Sequence, residues 1–333
     1  MGGGQVKRLT KSCVLAVLLA AGGFLSGPAI AQWKPQKNVE IVALSGPGGA
    51  NDVIARAVQR IMQEKRLVDM PVTVVSKPGG GGVIGWTYLN QHAGDGAYLS
   101  VSPINLLTEH ILGSSPITYT DVTPIAQLFN EYVAFSVKPD SPIKSAGDLV
   151  EQLKRDPASR SFAIAISLGG ANHIATVLAM KAAGVDIKKL KFAIFGSGPQ
   201  SLTAVMGGHV DVAAAPVSGT APQLQAGRVR VIAVSSPQRL GGAFAGVPTW
   251  KEQGIDSVFS SPRGMIGPKG MSQVQIAYWE GVLAAMVQTE EWKKDMESKF
   301  WESRFMNSAE SRRFLKAQYD DYKAVLADLG LAR

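Results

Sequence analysis

Three turns rich in glycine, Gly46-Pro47-Gly48-Gly49-Ala50-Asn51-Asp52, Pro78-Gly79-Gly80-Gly81-Gly82 and Ser167-Leu168-Gly169-Gly170-Ala171-Asn172, each follow a β-branched run and open an amphipathic one. A fourth, Phe195-Gly196-Ser197-Gly198-Pro199, holds the same place in its unit. Glycine removes the side chain that would keep a ligand away from backbone N–H groups, and the dipole of the following helix favours negative charge there. The chemistry on offer is anion binding. Glycine and proline are also what any tight strand-to-helix connection requires, so a single turn says only that the chain reverses. Two turns from each of two lobes, facing one cleft, would make a site.

Other chemistries find less support in the residues. Gly80-Gly81-Gly82-Val83-Ile84-Gly85 fits the dinucleotide pattern G-x-G-x-x-G, but no acid stands near 20 residues on, Asp95 being too early and Glu109 too late. The sequence contains no G-x-S-x-G, H-E-x-x-H or phosphate-loop motif. His92, His110, His173 and His209 are far apart, and no pair has ligand spacing on one helix, so no metal site and no cofactor are expected. His173 lies in the first turn of a helix beside a candidate anion loop, where it reads as a local hydrogen-bonding residue or a ligand contact. Asp52 reads as a first-turn carboxylate favoured by the helix dipole. Arg263 stands alone in Ser260-Ser261-Pro262-Arg263-Gly264, either pairing with a ligand carboxylate or forming a surface salt bridge. The six tryptophans follow no stacking stripe and read as packing.

These turns must be held by an alternating framework. Residues 39–44 form a first strand, and the following segment places Val53, Ile54, Ala57, Val58, Ile61 and Met62 on one face, the spacing of a helix. Strands at 71–76 and 97–102 and helices at 79–91 and 105–112 continue the pattern, and strands at 123–129 and 133–137 carry the chain between lobes. From Ser145 the alternation starts afresh: strands at 162–166, 191–195, 210–214 and 229–235 are separated by helices. The strand at 265–266 returns the chain, and three helical stretches beginning near Ser272, Glu290 and Ser308 pack back onto the first lobe. This is an α/β chain of two lobes with crossings near 130–137 and 236–246.

The length of 333 residues and a 46% hydrophobic content suffice for a core without disulfide or metal staples. The single Cys, Cys13, lies in a stretch where Lys7, Arg8 and Lys11 precede an apolar run of 13 residues to Leu25, followed by Ala29-Ile30-Ala31, the three parts of a secretory leader. Thirteen residues are too few to span a bilayer, so cleavage after Ala31 and export of a cysteine-free product are expected, in a Gram-negative cell to the periplasm. The formal charge of +8 less those three bases leaves +5, a mild bias with no nucleic-acid footprint.

Pro47-Gly48-Gly49-Ala50-Asn51-Asp52 with Ala55-Arg56, Lys77-Pro78-Gly79-Gly80-Gly81-Gly82-Val83-Ile84-Gly85, Gly94-Asp95-Gly96, Gly207-Gly208-His209-Val210-Asp211 and Val247-Pro248-Thr249 together resemble the Bug-type substrate-binding receptors of tripartite tricarboxylate transporters. Arg263-Gly264-Met265-Ile266-Gly267-Pro268-Lys269-Gly270 is similar to the tricarboxylate-binding branch. The resemblance implies a monomeric, two-lobed α/β fold of the periplasmic-binding-protein (Venus flytrap) type. It closes on a citrate-like di- or tricarboxylate and delivers it to the membrane permease of a tripartite tricarboxylate transporter. It implies no enzyme; an exported enzyme acting on an anionic substrate and a sensor for a signalling partner are the alternatives. The implied organisation is a signal peptide at 1–31, lobe 1 at 32–132 and 241–333, and lobe 2 at 133–240. Carried over, the first lobe offers Ser45, Gly48, Gly49, Asn51, Gly82 and Ser102, and the second offers Ser167, Gly169, Ala171, Asn172, Gly196, Ser197 and Pro216. Arg263 completes the expected ligand-binding set.

Overall fold

The strand β1 (Val39–Ala43) is buried along nearly its whole length, as a run of β-branched residues covered on both faces should be. In this computed structural model, which describes Met1 and residues 33–333, β1 pairs in parallel with β2 (Val72–Ser76) and β3 (Tyr98–Ser102). Helices α1 (Ala50–Glu64), α2 (Val83–Asn90) and α3 (Asn105–Ile111) follow the carboxyl ends of these strands. The expected leader lies outside the described residues. The chain continues through β4 (Val122–Glu131) and β5 (Val133–Val137) to α4 (Ala146–Arg155), β6 (Ser161–Ala165) and α5 (Ala171–Ala182). Next come β7 (Lys191–Phe195), α6 (Gly198–Met206), β8 (Val212–Pro216), α7 (Val217–Gln225) and β9 (Arg230–Val234). It closes with β10 (Ser261–Pro268), α8 (Gln273–Val287), α9 (Glu290–Ser298), β11 (Glu302–Met306) and α10 (Ser308–Asp328).

Two sheets result. One has six strands in the order β11-β4-β10-β3-β1-β2, with β10 antiparallel to both β3 and β4; the other has five in the order β7-β6-β8-β5-β9. The fold is therefore α/β with two lobes, each built around its own sheet. Strand β11 is absent from the sequence reading. Its residues Glu302, Ser303, Arg304 and Phe305 are exposed on the sheet edge, so no apolar alternation marks them.

The chain crosses between the sheets twice. A single residue, Tyr132, separates β4 from β5. The return crossing lies at 259–261 and not at 236–246, because that stretch packs on β9. Phe244 and Val247 share an apolar cluster with Val231 and Val234, and Thr249 bridges Val234. Ser235 joins the two crossings: its hydroxyl accepts from Val133 N–H at 2.9 Å and donates to the Phe259 carbonyl at 2.7 Å, both buried. Its backbone pairs with the same two residues.

Helices α8 and α9 pack against α1, as the sequence suggests. The longer α10 lies on β4 and α3 and reaches the second lobe, where Lys181 of α5 pairs with Asp328 at 2.7 Å. The buried tryptophans Trp86, Trp250, Trp279 and Trp292 fill the cores, as expected of packing residues.

Replacing Ser235 with Ala leaves the Val133 N–H and the Phe259 carbonyl without this buried partner. We expect a loss of about 1–3 kcal/mol in urea denaturation. An unchanged midpoint would mean that the hydroxyl does not hold the crossings together.

Candidate functional site

Of the ten α-helix N-termini among the described residues, four carry a side-chain cap and six do not. Helices α4, α8, α9 and α10 are capped by the side chains of Ser145, Ser272, Thr289 and Asn307. Helices α1, α5, α6 and α7 start at Gly49, Gly170, Ser197 and Pro216, and none of these side chains caps its helix. These four ends lie at the carboxyl ends of strands, and residues of their first turns line one cleft between the lobes. Of the other two uncapped helices, α3 brings Asn105 to the same cleft and α2, which starts after Gly82, lines neither chamber. A helix leaves its first N–H groups without intrahelical partners, and the usual remedy is a Ser, Thr, Asp or Asn cap. Here the amides of Ala50, Asn51, Ala171, Asn172 and Gly198 have no partner among the described residues.

The cleft holds two adjoining chambers. The inner, about 30 Å³, is lined by Ser45, Ala50, Asn51, Asn105, Ala165, Ile166, Ala171, Asn172, Ser197, Gly198, Pro216 and Arg263. The outer, about 90 Å³, shares Ala50, Gly198 and Pro216 and adds Gly48, Val53, Pro199, Ala215, Ser218, Gly219 and Lys299. The lobes touch across it. Asn105 Nδ2 of α3 donates to Ser167 Oγ at 2.8 Å, and Ser218 Oγ of α7 donates to Glu131 Oε1 at 2.6 Å.

Of the residues singled out from the sequence, Ser45, Asn51, Ala171, Asn172, Ser197, Pro216 and Arg263 meet in the inner chamber, and Gly48 lines the outer. The Gly48 amide is engaged by Asp52 Oδ2 at 2.9 Å, and Asp52 also pairs with Arg56. Asp52 is thus the local helix residue the sequence suggests, its own N–H bound to Ser45 Oγ at 3.2 Å. The other expected residues do not reach the chamber walls. Gly49 caps α1 and packs on Ser45; a Cβ there would meet Ser45 Oγ at 2.5 Å. The turn Gly79 to Gly82 has all four residues at positive φ, which only glycine adopts freely, and it packs on Glu109 and Trp86 without lining either chamber. Gly82 therefore serves that packing. Ser102 Oγ is buried without a partner at the end of β3. Ser167 is bonded to Asn105, and Gly169 packs against Leu112 and Thr108 of the first lobe. Gly196 is exposed, its N–H donating to Gln200 Oε1 at 2.9 Å.

Arg263 is not on the surface. Its side chain is 6% exposed and pairs with Glu131, itself 2% exposed, through Nε at 3.3 Å and Nη2 at 3.1 Å to Oε2. The reason is register: β10 lies beside β4, so Arg263 and Glu131 sit on neighbouring strands. His173 acts locally, its Nδ1 accepting from Gly169 N–H at 3.0 Å. Burial pushes its pKa down to about 4, so the ring is neutral and keeps that acceptor.

Sequence reasoning missed Asn105, Ile166, Ser218 and Lys299. Asn105 and Ser218 open helices on short turns without glycine repeats. Ile166 has φ +74, a left-handed conformation that a β-branched residue adopts only under constraint, with its N–H on the Phe195 carbonyl at 2.7 Å. No sequence pattern announces it.

A family model described as "Tripartite tricarboxylate transporter family receptor" matches residues 54–331. The UPF0065 protein in the gbd 5′ region of Cupriavidus necator is 26% identical over 324 residues, covering 96% of this chain and 96% of that protein. Protein BugT of Bordetella pertussis is 28% identical over 262 residues, 77% of this chain and 78% of that protein. Among solved structures, the periplasmic binding protein BugD superposes with a TM-score of 0.81 at 23% identity, covering 90% of this chain and 99% of that one. An R. palustris protein with adipate gives 0.81 at 20% identity, over 90% and 99% of the two chains. MatC of Rhodopseudomonas palustris with bound malate gives 0.79 at 19%, over 88% and 99%. These likenesses support the two-lobed fold.

The His173 shift carries a pH prediction. Between pH 6.5 and about 4 the unfolded chain takes up a proton that the folded ring refuses, so this contribution is complete above pH 6.5 and is lost on acidification. The loss by pH 4 is roughly 3 kcal/mol. His173→Gln, which retains an acceptor for the Gly169 amide, should flatten the stability decline over that range in denaturant titrations. An equally steep decline in the variant would assign it to other groups.

Proposed function

The chain belongs to the tripartite tricarboxylate transporter receptor family, a family of periplasmic solute-binding receptors, and from that premise we propose that it captures a small dicarboxylate between its lobes. The observation that carries this reading is the convergence of uncapped helix N-termini from both lobes on one cavity. One carboxylate would accept from the Ala50 and Asn51 amides at α1, and the other from the Ala171, Asn172 and Gly198 amides at α5 and α6. The partial positive charge of each helix end favours an anion there, and exclusion of water strengthens each charge-assisted bond. Asn51, Asn105 and Ser197 add side-chain groups on the same walls.

Two facing sets of donors suit two carboxylates, and no unpaired cation lines either chamber for a third. The neighbours solved with malate and adipate lend support to a dicarboxylate. Binding at both lobes would hold the receptor closed by motion about the paired crossings at Tyr132 and 259–261. We propose that the mature protein, cut after Ala31, acts as a periplasmic monomer. It delivers its ligand to the membrane permease of a tripartite transporter and catalyses no reaction.

Calorimetric titration with malate, adipate and citrate tests the reading, the first two being expected to bind more tightly. The decisive variants are Ala50→Pro and Ala171→Pro. Each stands at the first helical position, where proline is tolerated, after a glycine whose extended backbone accepts it (φ −71, ψ 161 at Gly49; φ −66, ψ 166 at Gly170). Each deletes one N–H and nothing else of the helix. The loss of one charge-assisted hydrogen bond, about 1.5–3 kcal/mol, predicts roughly 10- to 100-fold weaker binding with unfolding of the free protein little changed. Unchanged affinity in both variants would contradict the proposed site.

A further inference from the structure

Arg263 is the one charged residue on the wall of the inner chamber among the described residues. Taken alone it would invite an additional carboxylate. It is not alone, because both of its engaged nitrogens bond to the same oxygen, Glu131 Oε2, at 3.3 and 3.1 Å. We propose that Glu131 is the residue that sets the charge of the ligand this cavity accepts, acting as a fixed countercharge behind Arg263. The proposal rests on the carboxylate-receptor reading above and adds the residue that limits the number of carboxylates.

The argument turns on whether Glu131 can leave Arg263 when an anion arrives. Its other oxygen, Oε1, accepts from Ser218 Oγ at 2.6 Å and from Trp301 Nε1 at 3.3 Å. Ser218 belongs to the second lobe and Trp301 to the first, so the carboxylate is held from both sides of the cleft. Glu131 is also buried, its side chain 2% exposed. A carboxylate pinned in this way stays on Arg263, and the chamber wall carries no net formal charge. Two ligand carboxylates find helix amides there. A third finds no free cation and comes close to Glu131. In a buried site, removing one partner of such a pair leaves an uncompensated charge that interacts strongly with any ion nearby. The outer chamber is balanced in the same manner, since its cation, Lys299, is paired with Asp295.

Glu131→Gln removes the countercharge at nearly constant volume and leaves Arg263 as a free cation at the cavity. The experiment is isothermal titration of wild type and variant with propionate, malate and citrate at neutral pH, repeated at low and high salt. We expect the malate-to-citrate ratio of dissociation constants to shift toward citrate by about tenfold or more in Glu131→Gln, as an unscreened buried charge requires. We expect a smaller gain for propionate than for citrate, in proportion to their charge, and a steeper salt dependence for citrate. A purely structural role would weaken all three ligands alike and leave the ratio unmoved, which would overturn the inference. The double variant with Glu131→Gln and Arg263→Gln restores a neutral wall, and its ratio should return to that of wild type. A ratio still shifted toward citrate would overturn the inference as well. If wild type binds none of the three, the carboxylate-receptor reading fails and takes the inference with it; binding by wild type with an unmoved ratio sinks the inference alone.

Discussion

The rest of the structure depends on a set of backbone amides that the protein leaves without partners. Four helices that line neither chamber with their first turns receive side-chain caps, whereas four whose first turns line the cleft begin at Gly49, Gly170, Ser197 and Pro216 without one, as α3 does at Asn105; α2 is the one uncapped helix away from both chambers among the described residues. A side-chain cap contributes about 1 kcal/mol. Forgoing it repeatedly in one place keeps the strongest neutral anion-binding group, the N–H at a positive helix end, available to a ligand. The two sheets position these ends: β1 in one, and the parallel strands β6, β7 and β8 in the other, each lead at the carboxyl end into a helix whose first turn lines the cleft.

That arrangement needs two lobes able to meet. The crossings at Tyr132 and at 259–261 lie side by side, joined through Ser235, so the lobes are related by a narrow paired connection. Two hydrogen bonds cross the cleft, Asn105 with Ser167 and Ser218 with Glu131, and apolar contact joins the lobes beside it: Gly169 packs on Leu112, and Ile104 and Leu107 at the start of α3 share one buried cluster with Phe135, Ile174 and Met180 of the second lobe. The hydrogen bonds exchange readily with water, while α10 ties the lobes more firmly through Tyr322 and Leu326 in that cluster and through Lys181 with Asp328. The strained backbone at Ile166 fits the same picture, a residue held in an unfavourable conformation where the wall of the cavity requires it.

Much of this was legible in the residues, for a physical reason. The alternation of β-branched and amphipathic segments follows from burial, and glycine beside a helix start follows from backbone access, so both the two-lobed α/β fold and Asn51, Ala171, Asn172 and Ser197 could be read directly or by resemblance. The Gly79 to Gly82 turn misled because the same composition also serves packing; its glycines make room for Glu109 and Trp86. The exposed edge strand β11 and the late return crossing had no periodic signature. Pairing of Arg263 with Glu131 depends on the register of β10 beside β4, residues 132 positions apart in sequence, which no local pattern encodes.

The central claim is that ligand carboxylates are held by the open helix N-termini of both lobes at once. Amide NMR of isotope-labelled protein during titration with malate reads those groups individually. The account predicts that the amides of Ala50, Asn51, Ala171, Asn172 and Gly198 move downfield together with a single dissociation constant and gain protection from exchange. Shifts confined to one lobe, or to side chains outside the cleft with these five amides unmoved, would contradict it.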